Sequence, residues 1–378
     1  MTYSVYQHWD PLKVCVVGRG YPPEFYSWIT VPHVRSLFER IAIETEEDYQ
    51  AIIKKLQKFG VEILRPNLPS VNFYNGLPVA APMYPRDFSI MIGEMFYFSE
   101  NSYNFGHFYF NIKKNDWPEC HEEQDLYKLP ENIKNKCIEE YNIYKLNYLR
   151  ENCYNDILQH IANQGNTVFD KIMHEATGSM TTRIGKDLYF GTNPGQDISR
   201  LKNIIDQKYT TTRNHIVDTA GHSDGTYCPV CPGLIISLKD VPTYADSFPG
   251  WEVIYLPNQS WSAVKPFLDL KRKNQGRWWI PGFEYDKDVV SVVETWLGHW
   301  TGYVEETVFD VNMLIIDPKN VMVFGYNKQV FDALDRYGIT PHIVPFRHRY
   351  FWDGGIHCVT SDLHREGEMQ DYFPERNQ

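Results

Sequence analysis

The sequence predicts an α/β protein built by repeating one small unit around a closed ring, each unit reading hairpin, helix, strand. The clearest unit lies towards the C-terminal end. Met313-Leu314-Ile315-Ile316 and Val321-Met322-Val323-Phe324 are short apolar strands around the turn Asp317-Pro318-Lys319-Asn320. Val330, Leu334 and Tyr337 then recur at helical spacing, Gly338 stops the helix, and His342-Ile343-Val344-Pro345 is the next strand. The same order recurs around the turn Gly185-Lys186-Asp187, which Arg183-Ile184 and Leu188-Tyr189-Phe190 flank. Residues 201–205 follow as a helix and His215-Ile216-Val217 as a strand. Near the start, Val14-Cys15-Val16-Val17 is a strand. Residues 46–59 form an amphipathic helix with Ile52, Ile53 and Leu56 inward, and Gly60 ends it before Val61-Glu62-Ile63-Leu64. Residues 88–98 make a further hairpin that turns at Gly93-Glu94.

Two stretches break the pattern. Residues 101–168 are charged, aromatic and rich in Asn, with a helical look from Cys137 to Ile161. Residues 260–306 are rich in Trp, with a weak helix signal from Val289 to Trp296. Both read as insertions that cap the repeated core. No Gly/Ser-rich or Pro-rich linker divides the chain, so residues 1–378 read as a single domain.

Composition narrows the partners. With 43% hydrophobic and 22% charged residues the chain is ordinary globular protein rather than disordered. A formal charge of −11 disfavours nucleic acid and anionic membrane, which both demand a basic face. It suits a cationic substrate, although solubility accounts for it equally well. No apolar run reaches the ~20 residues that span a bilayer, and the first residues lack the basic head and apolar run of a secretory signal. The seven cysteines are odd in number and scattered, a poor disulfide framework that fits a reducing cytoplasm.

Four loops beside predicted strands carry chemistry: Tyr84-Pro85-Arg86-Asp87, Gly221-His222-Ser223-Asp224-Gly225, Cys231-Pro232-Gly233-Leu234 and Asp353-Gly354-Gly355-Ile356-His357-Cys358. Paired glycines let the backbone at Cys358 approach a ligand closely, and a nearby cation would turn its thiol into a nucleophile. On its own, an ordinary buried cysteine is the commoner reading. His222 and Asp224 alternate as they would along a strand, where both face one side and can shuttle protons and grip a cation. Ser-Asp-Gly is also good turn chemistry. Asp87 is either half of a solvated loop pair with Arg86 or a substrate carboxylate. Cys228-Pro229-Val230-Cys231 has half of a zinc motif but no second half, so it reads as two strand cysteines. Neither a Walker-type nor a GxGxxG run is present, which argues against nucleotide chemistry.

Taken together and in this order, these stretches resemble the glycine/inosamine-phosphate amidinotransferases of the guanidino-group-modifying superfamily. The resemblance rests on the opening Trp9-Asp10-Pro11-Leu12-Lys13-Val14-Cys15-Val16-Val17-Gly18-Arg19, on Pro85-Arg86-Asp87, and on His222-Ser223-Asp224 followed by Pro232-Gly233-Leu234. It also rests on Gly354-Gly355-Ile356-His357-Cys358-Val359-Thr360-Ser361-Asp362. It implies a pentein-type five-bladed α/β propeller with pseudo-fivefold repeats. It further implies a covalent amidino-Cys358 intermediate, with His222 as proton donor and acceptor, and Asp87, Asp224 and Arg86 as substrate-binding groups. The partners it implies are a small-molecule guanidino donor and an amine acceptor, with no metal or organic cofactor, and nothing in the sequence excludes a homodimer.

The chain departs from the family at two places. Where the family has an acidic Asp-Ala-Ala-Asp-like run, this sequence has Thr177-Gly178-Ser179-Met180, leaving Glu175 as the nearby substitute and Met180 on the expected substrate wall. The family arginine after the Pro-Gly strand falls at Val241. Three functions follow: amidino transfer, hydrolysis through the same Cys-His pair, and non-catalytic binding of a cationic ligand.

Overall fold

The computed structural model describes residues 1–69, 73–74, 77–78, 80–98, 150–169, 177–192, 196–219, 221–238, 241, 243–256, 279–283, 285–297 and 308–377. Seventeen strands are found among these, numbered β1 to β17 in chain order. Fifteen of them form five three-stranded sheets of one design, and β3 (Phe73–Tyr74) and β4 (Leu77–Pro78) make a separate hairpin.

In each three-stranded sheet a first strand runs antiparallel to a middle strand, which runs parallel to a third. The five are β5–β6–β7 (Ser89–Ile92, Met95–Phe98, Thr167–Phe169), β8–β9–β10 (Thr181–Ile184, Asp187–Gly191, Arg213–Val217) and β11–β12–β13 (Tyr227–Cys231, Leu234–Ser237, Glu252–Tyr255). Next come β14–β15–β16 (Leu314–Asp317, Asn320–Val323, Thr340–Ile343) and β17–β1–β2 (Thr360–Arg365, Leu12–Val17, Glu62–Leu64). A parallel pair needs a crossover, and here each crossover carries a helix. These are Asn155–Asn163, Ile198–Lys208, Tyr244–Ser247, Lys328–Arg336 and Pro32–Lys58. The last sheet is stitched from both ends of the chain, since β1 pairs with β17 from Leu12↔Arg365 to Val17↔Thr360.

Adjacent residues on the first and middle strands serve different cores, because successive side chains leave a strand on opposite faces. On β1, Val14 and Val16 pack with Met91, Phe96 and Phe98, while Cys15 and Val17 pack with Leu314, Ile316 and Met322. On β9, Leu188 and Phe190 join Ile90, Ile92 and Tyr97, whereas Tyr189 joins Tyr227 and Ile236. On β14, Ile315 shares the Tyr227 cluster and Leu314 the Cys15 cluster. The sheets of β1, β9 and β14 are thus packed on both faces, which explains strands that read as continuous apolar runs.

Turn glycines fall where the sequence placed them: Gly93, Gly185 and Gly338 have φ of 57°, 61° and 68°. Some boundaries moved. The helix expected at 46–59 begins at Pro32, because Val34, Leu37, Phe38 and Ile41 continue its buried stripe. Of the expected insertion 101–168, residues 101–149 lie outside the described residues, whereas Asn155–Asn163 and Thr167–Phe169 are the helix and third strand of a sheet. Of 260–306, residues 260–278 and 298–306 lie outside them. The helix Lys287–Val292 packs Val289 into the cluster of Val34 and Leu37. Cys228 and Cys231 both lie on β11, buried and free, as the strand reading expected.

Candidate active site

The repeated design sets out the candidate side chains. Asp87, Ser179, Asn312 and Cys358 each stand two residues before the first strand of their sheet, and Asp224 stands three before its own. A short helix, Arg349–Trp352, leads to the Cys358 segment and ends on Asp353, whose left-handed φ of 51° turns the chain. Gly354 and Gly355 then pass through spaces that exclude a side chain. A Cβ on Gly354 would lie 2.2 Å from the Tyr84 ring, and one on Gly355 2.2 Å from Asn312 Oδ1.

Cys358 is half-buried. Its thiol is within 3.6 Å of Asp224 Oδ2, as donor, and receives the Asn312 side-chain NH₂ at 3.1 Å. Burial, then the charges of Asp224 and Asp87, push the thiol well above its usual range, against the Gly355 backbone and Asn312. Unaided, the sulfur is therefore a neutral thiol.

Asp224 is the hub. Its Oδ2 accepts the His357 ring Nδ1–H at 2.8 Å, and its backbone N–H donates to the Ser179 carbonyl at 3.3 Å. Burial would raise its carboxyl, but the bond and charge of His357, with His222 and Arg86, hold it below the ordinary value. His357 is lowered by burial and by Arg86 against the pull of Asp224, so it stays a neutral donor to an ionised carboxylate. The second oxygen, Oδ1, is buried and has no hydrogen-bond partner among the described residues. His222 Nδ1 lies 3.9 Å from Asp87 Oδ1, the range of an ion pair rather than a hydrogen bond. Cys358, Asp224, His222 and Asp87 are thus joined by contact or by charge, despite their separation in sequence.

Three expectations need revision. His222 and Asp224 do not alternate along a strand, because Ser223–Gly225 is a helical turn, the alternative that Ser-Asp-Gly chemistry allowed. Arg86 is wholly buried and has a different task from the substrate contact expected of it. Its Nη1 donates to Asp362 Oδ1 at 2.7 Å, its Nε to the Thr360 carbonyl at 3.1 Å, and its backbone N–H to the Cys358 carbonyl at 3.4 Å. Arg183 and Arg365 close on the same buried Asp362, at 2.8 and 2.7 Å. Arg86 therefore anchors the Asp87 loop to β17 instead of meeting solvent. Met180 is buried and acts through its backbone, whose carbonyl accepts the Ser223 hydroxyl at 2.9 Å and so supports the Asp224 turn.

Thr177 and Ser179 set their hydroxyls 3.1 Å apart, both buried, beside that turn. Glu175 lies outside the described residues. Val241 is buried among Tyr244 and Phe248. Sequence reasoning missed Asn312 and gave His357 no role. The repeat itself carried the signal for Asn312, since it occupies the pre-strand place that Asp87 and Cys358 occupy.

No protein-family profile matches the chain. Glycine amidinotransferase, mitochondrial, from Xenopus tropicalis is 26% identical over 152 residues, 40% of this chain and 28% of that protein. The chain thus spans under a third of that relative's length. Inosamine-phosphate amidinotransferase 1 from Streptomyces glaucescens is 21% identical over 98% of both chains. Among solved structures, an amidinotransferase of the saxitoxin biosynthetic pathway from Microseira wollei superposes with a TM-score of 0.62 at 16% identity, covering 99% of this chain and 100% of that one. The inosamine-phosphate amidinotransferase of Streptomyces griseus gives 0.60 at 18% identity, covering 98% and 99%.

The chain resembles the amidinotransferases in sequence and in fold. Its α/β sheets are those of the amidinotransferase fold, and the resemblance drawn from the sequence motifs stands. Among the described residues, no helix is long and apolar enough to cross a membrane.

Proposed function

We propose that this chain is an amidinotransferase, moving an amidino group from an arginine-like guanidino donor to an amine through a covalent amidino-Cys358 intermediate. The observation that carries this is a nucleophile set between carboxylates. A thiol 3.6 Å from Asp224 and within the field of Asp87 is a poor place to hold an anion. It becomes a good one when a planar cation fills the gap, because the cation pairs with the carboxylates and its charge lowers the thiol. The buried Asp224 Oδ1 has the acceptor capacity for one guanidinium N–H.

In this reading the Cys358 thiol, with the cation bound, gives its proton to His222, and the thiolate attacks the guanidinium carbon and forms a C–S bond. His222 protonates the departing amine as its C–N bond breaks. The acceptor amine then attacks the same carbon, His222 takes its proton, and the C–S bond breaks to restore Cys358. The steps use side chains alone. Asp87 orients His222 and, with Asp224, balances the cation. The closed five-bladed, single-domain form belongs to the same proposal, supported by the cores that β17–β1–β2 shares with β14–β15–β16 and with β5–β6–β7. So does a cytoplasmic location, supported by five free cysteines among the described residues.

The test is incubation with guanidino-labelled arginine, followed by intact-mass and product analysis with and without added amines. A Cys358 adduct, with ornithine and a new guanidino compound when amine is present, supports transfer. Citrulline instead points to hydrolysis, and no adduct under any condition points to a binder. Cys358→Ser should give no adduct and no turnover while folding normally.

A further inference from the structure

Asn312 is almost wholly buried, at 1% exposure, and stands two residues ahead of β14. Its Oδ1 accepts the backbone N–H of His357 at 2.8 Å and of Cys358 at 3.2 Å. Two converging N–H donors fix which end of the amide is which, because an NH₂ turned that way would meet donors with donors. The NH₂ therefore points the other way, giving one hydrogen bond to the Asp224 carbonyl at 3.1 Å and one to Cys358 Sγ at 3.1 Å. One side chain thus ties the backbone of the nucleophile, its sulfur and the backbone of the facing carboxylate into a single unit.

An N–H aimed at sulfur favours the thiolate over the thiol, since only the anion gains a charge-assisted bond. The Gly355 backbone gives the sulfur a second hydrogen bond, and Asn312 is the side chain that adds to it. Asp224 and Asp87 repel the anion, the half-buried Tyr84 is close enough to feel its charge, and His357 gives its ring proton to Asp224. His222 is the remaining titratable neighbour, engaged with Asp87.

We infer that Asn312 is the positioning residue for the nucleophile: its oxygen locks the backbone at 357–358, and its NH₂ stabilises the Cys358 thiolate against Asp224 and Asp87. The inference rests on Cys358 being the nucleophile of the proposed reaction, but it is read on the sulfur itself.

The test alkylates the full-length wild type, Asn312→Asp and Asn312→Ser with iodoacetamide from about pH 6 to about pH 10. Labelling of Cys358 is followed by peptide mass, with Cys358→Ser as background and thermal unfolding as the check on folding. Asn312→Asp keeps the shape and the acceptor oxygen but turns a second oxygen towards sulfur. Its labelling should be roughly ten-fold slower or worse at each pH across that range. Asn312→Ser, which loses the donor without adding charge, should fall between the two. A folded variant of either kind whose labelling rates match the wild type across the range overturns the inference. Arginine adduct formation by the wild type is measured alongside. If the wild type alkylates as expected yet never takes up an amidino group, the proposed reaction fails while the Asn312 result stands.

Discussion

Replacing Asp362 by Asn should cost this fold more than most single changes. Asp362 is fully buried on β17 and receives Arg86 at 2.7 Å, Arg183 at 2.8 Å through both oxygens, and Arg365 at 2.7 Å. Arg183 comes from β8, Arg365 from β17 itself and Arg86 from the helical turn ahead of β5, and each side chain is at most 2% exposed. Burial alone would raise the Asp362 carboxyl, but Arg183, Arg86 and Arg365 hold it well below the ordinary carboxylate value. An Asn keeps the shape and one acceptor but leaves three buried cations without a counter-charge. Removing one partner of a buried pair costs about 3–5 kcal/mol, and sharing among three arginines favours the upper part of that range. Urea unfolding followed by circular dichroism measures it directly, and thermal unfolding should show a fall in Tm of roughly 4–6 °C.

The pH dependence carries the sign. A carboxyl with a depressed folded pKa contributes stability above its unfolded value, and that contribution is lost as pH falls towards the folded one. The gap between wild type and Asp362→Asn should therefore be complete at neutral pH and narrow once pH drops below the ordinary value of 3.8. A loss below about 1 kcal/mol at neutral pH would refute the account of this cluster, as would a gap that does not narrow in acid.

Other outcomes follow from the site. Asp224→Asn removes the first of the charges that oppose the Cys358 thiolate, so iodoacetamide labelling at neutral pH should quicken by about three- to ten-fold. Amidino-adduct formation from arginine should fall by about 100-fold or more in the same variant, because the cation loses its acceptor. If the two rates move together, Asp224 is not the cation clamp. Gly354→Ala puts a Cβ 2.2 Å from the Tyr84 ring, whose hydroxyl donates to the Trp352 carbonyl. It should cost about 1–3 kcal/mol and slow adduct formation, and an unchanged Tm would mean that the loop yields freely.

The sequence alone carried the module, because turn glycines, a period of two and a period of 3.6 are local signals. The hairpin and helix after Met313, the glycine stops and the Gly-Gly-Ile-His-Cys segment needed no partner to be read. The motifs also named Cys358, His222, Asp87 and Asp224. The sheet β11–β12–β13 went unremarked as a module, because its crossover helix, Tyr244–Ser247, is too short to show a helical period. The length of the first helix was missed because its stripe begins with Pro32-His33-Val34, which reads as a loop until Val34 and Leu37 have a core to enter.

Only the tertiary structure decided what Arg86, Asn312 and His357 do. Arg86 beside Asp87 looks like a solvated pair in the chain. It turns inward because Asp362, lying 276 residues away, offers a buried carboxylate to its guanidinium. Asn312 is an ordinary asparagine until two backbone N–H groups from the turn ahead of β17 meet its oxygen and leave its NH₂ facing sulfur. A hydrogen bond is chosen by whichever partner arrives within about 3 Å, and sequence patterns fix only neighbours along the chain.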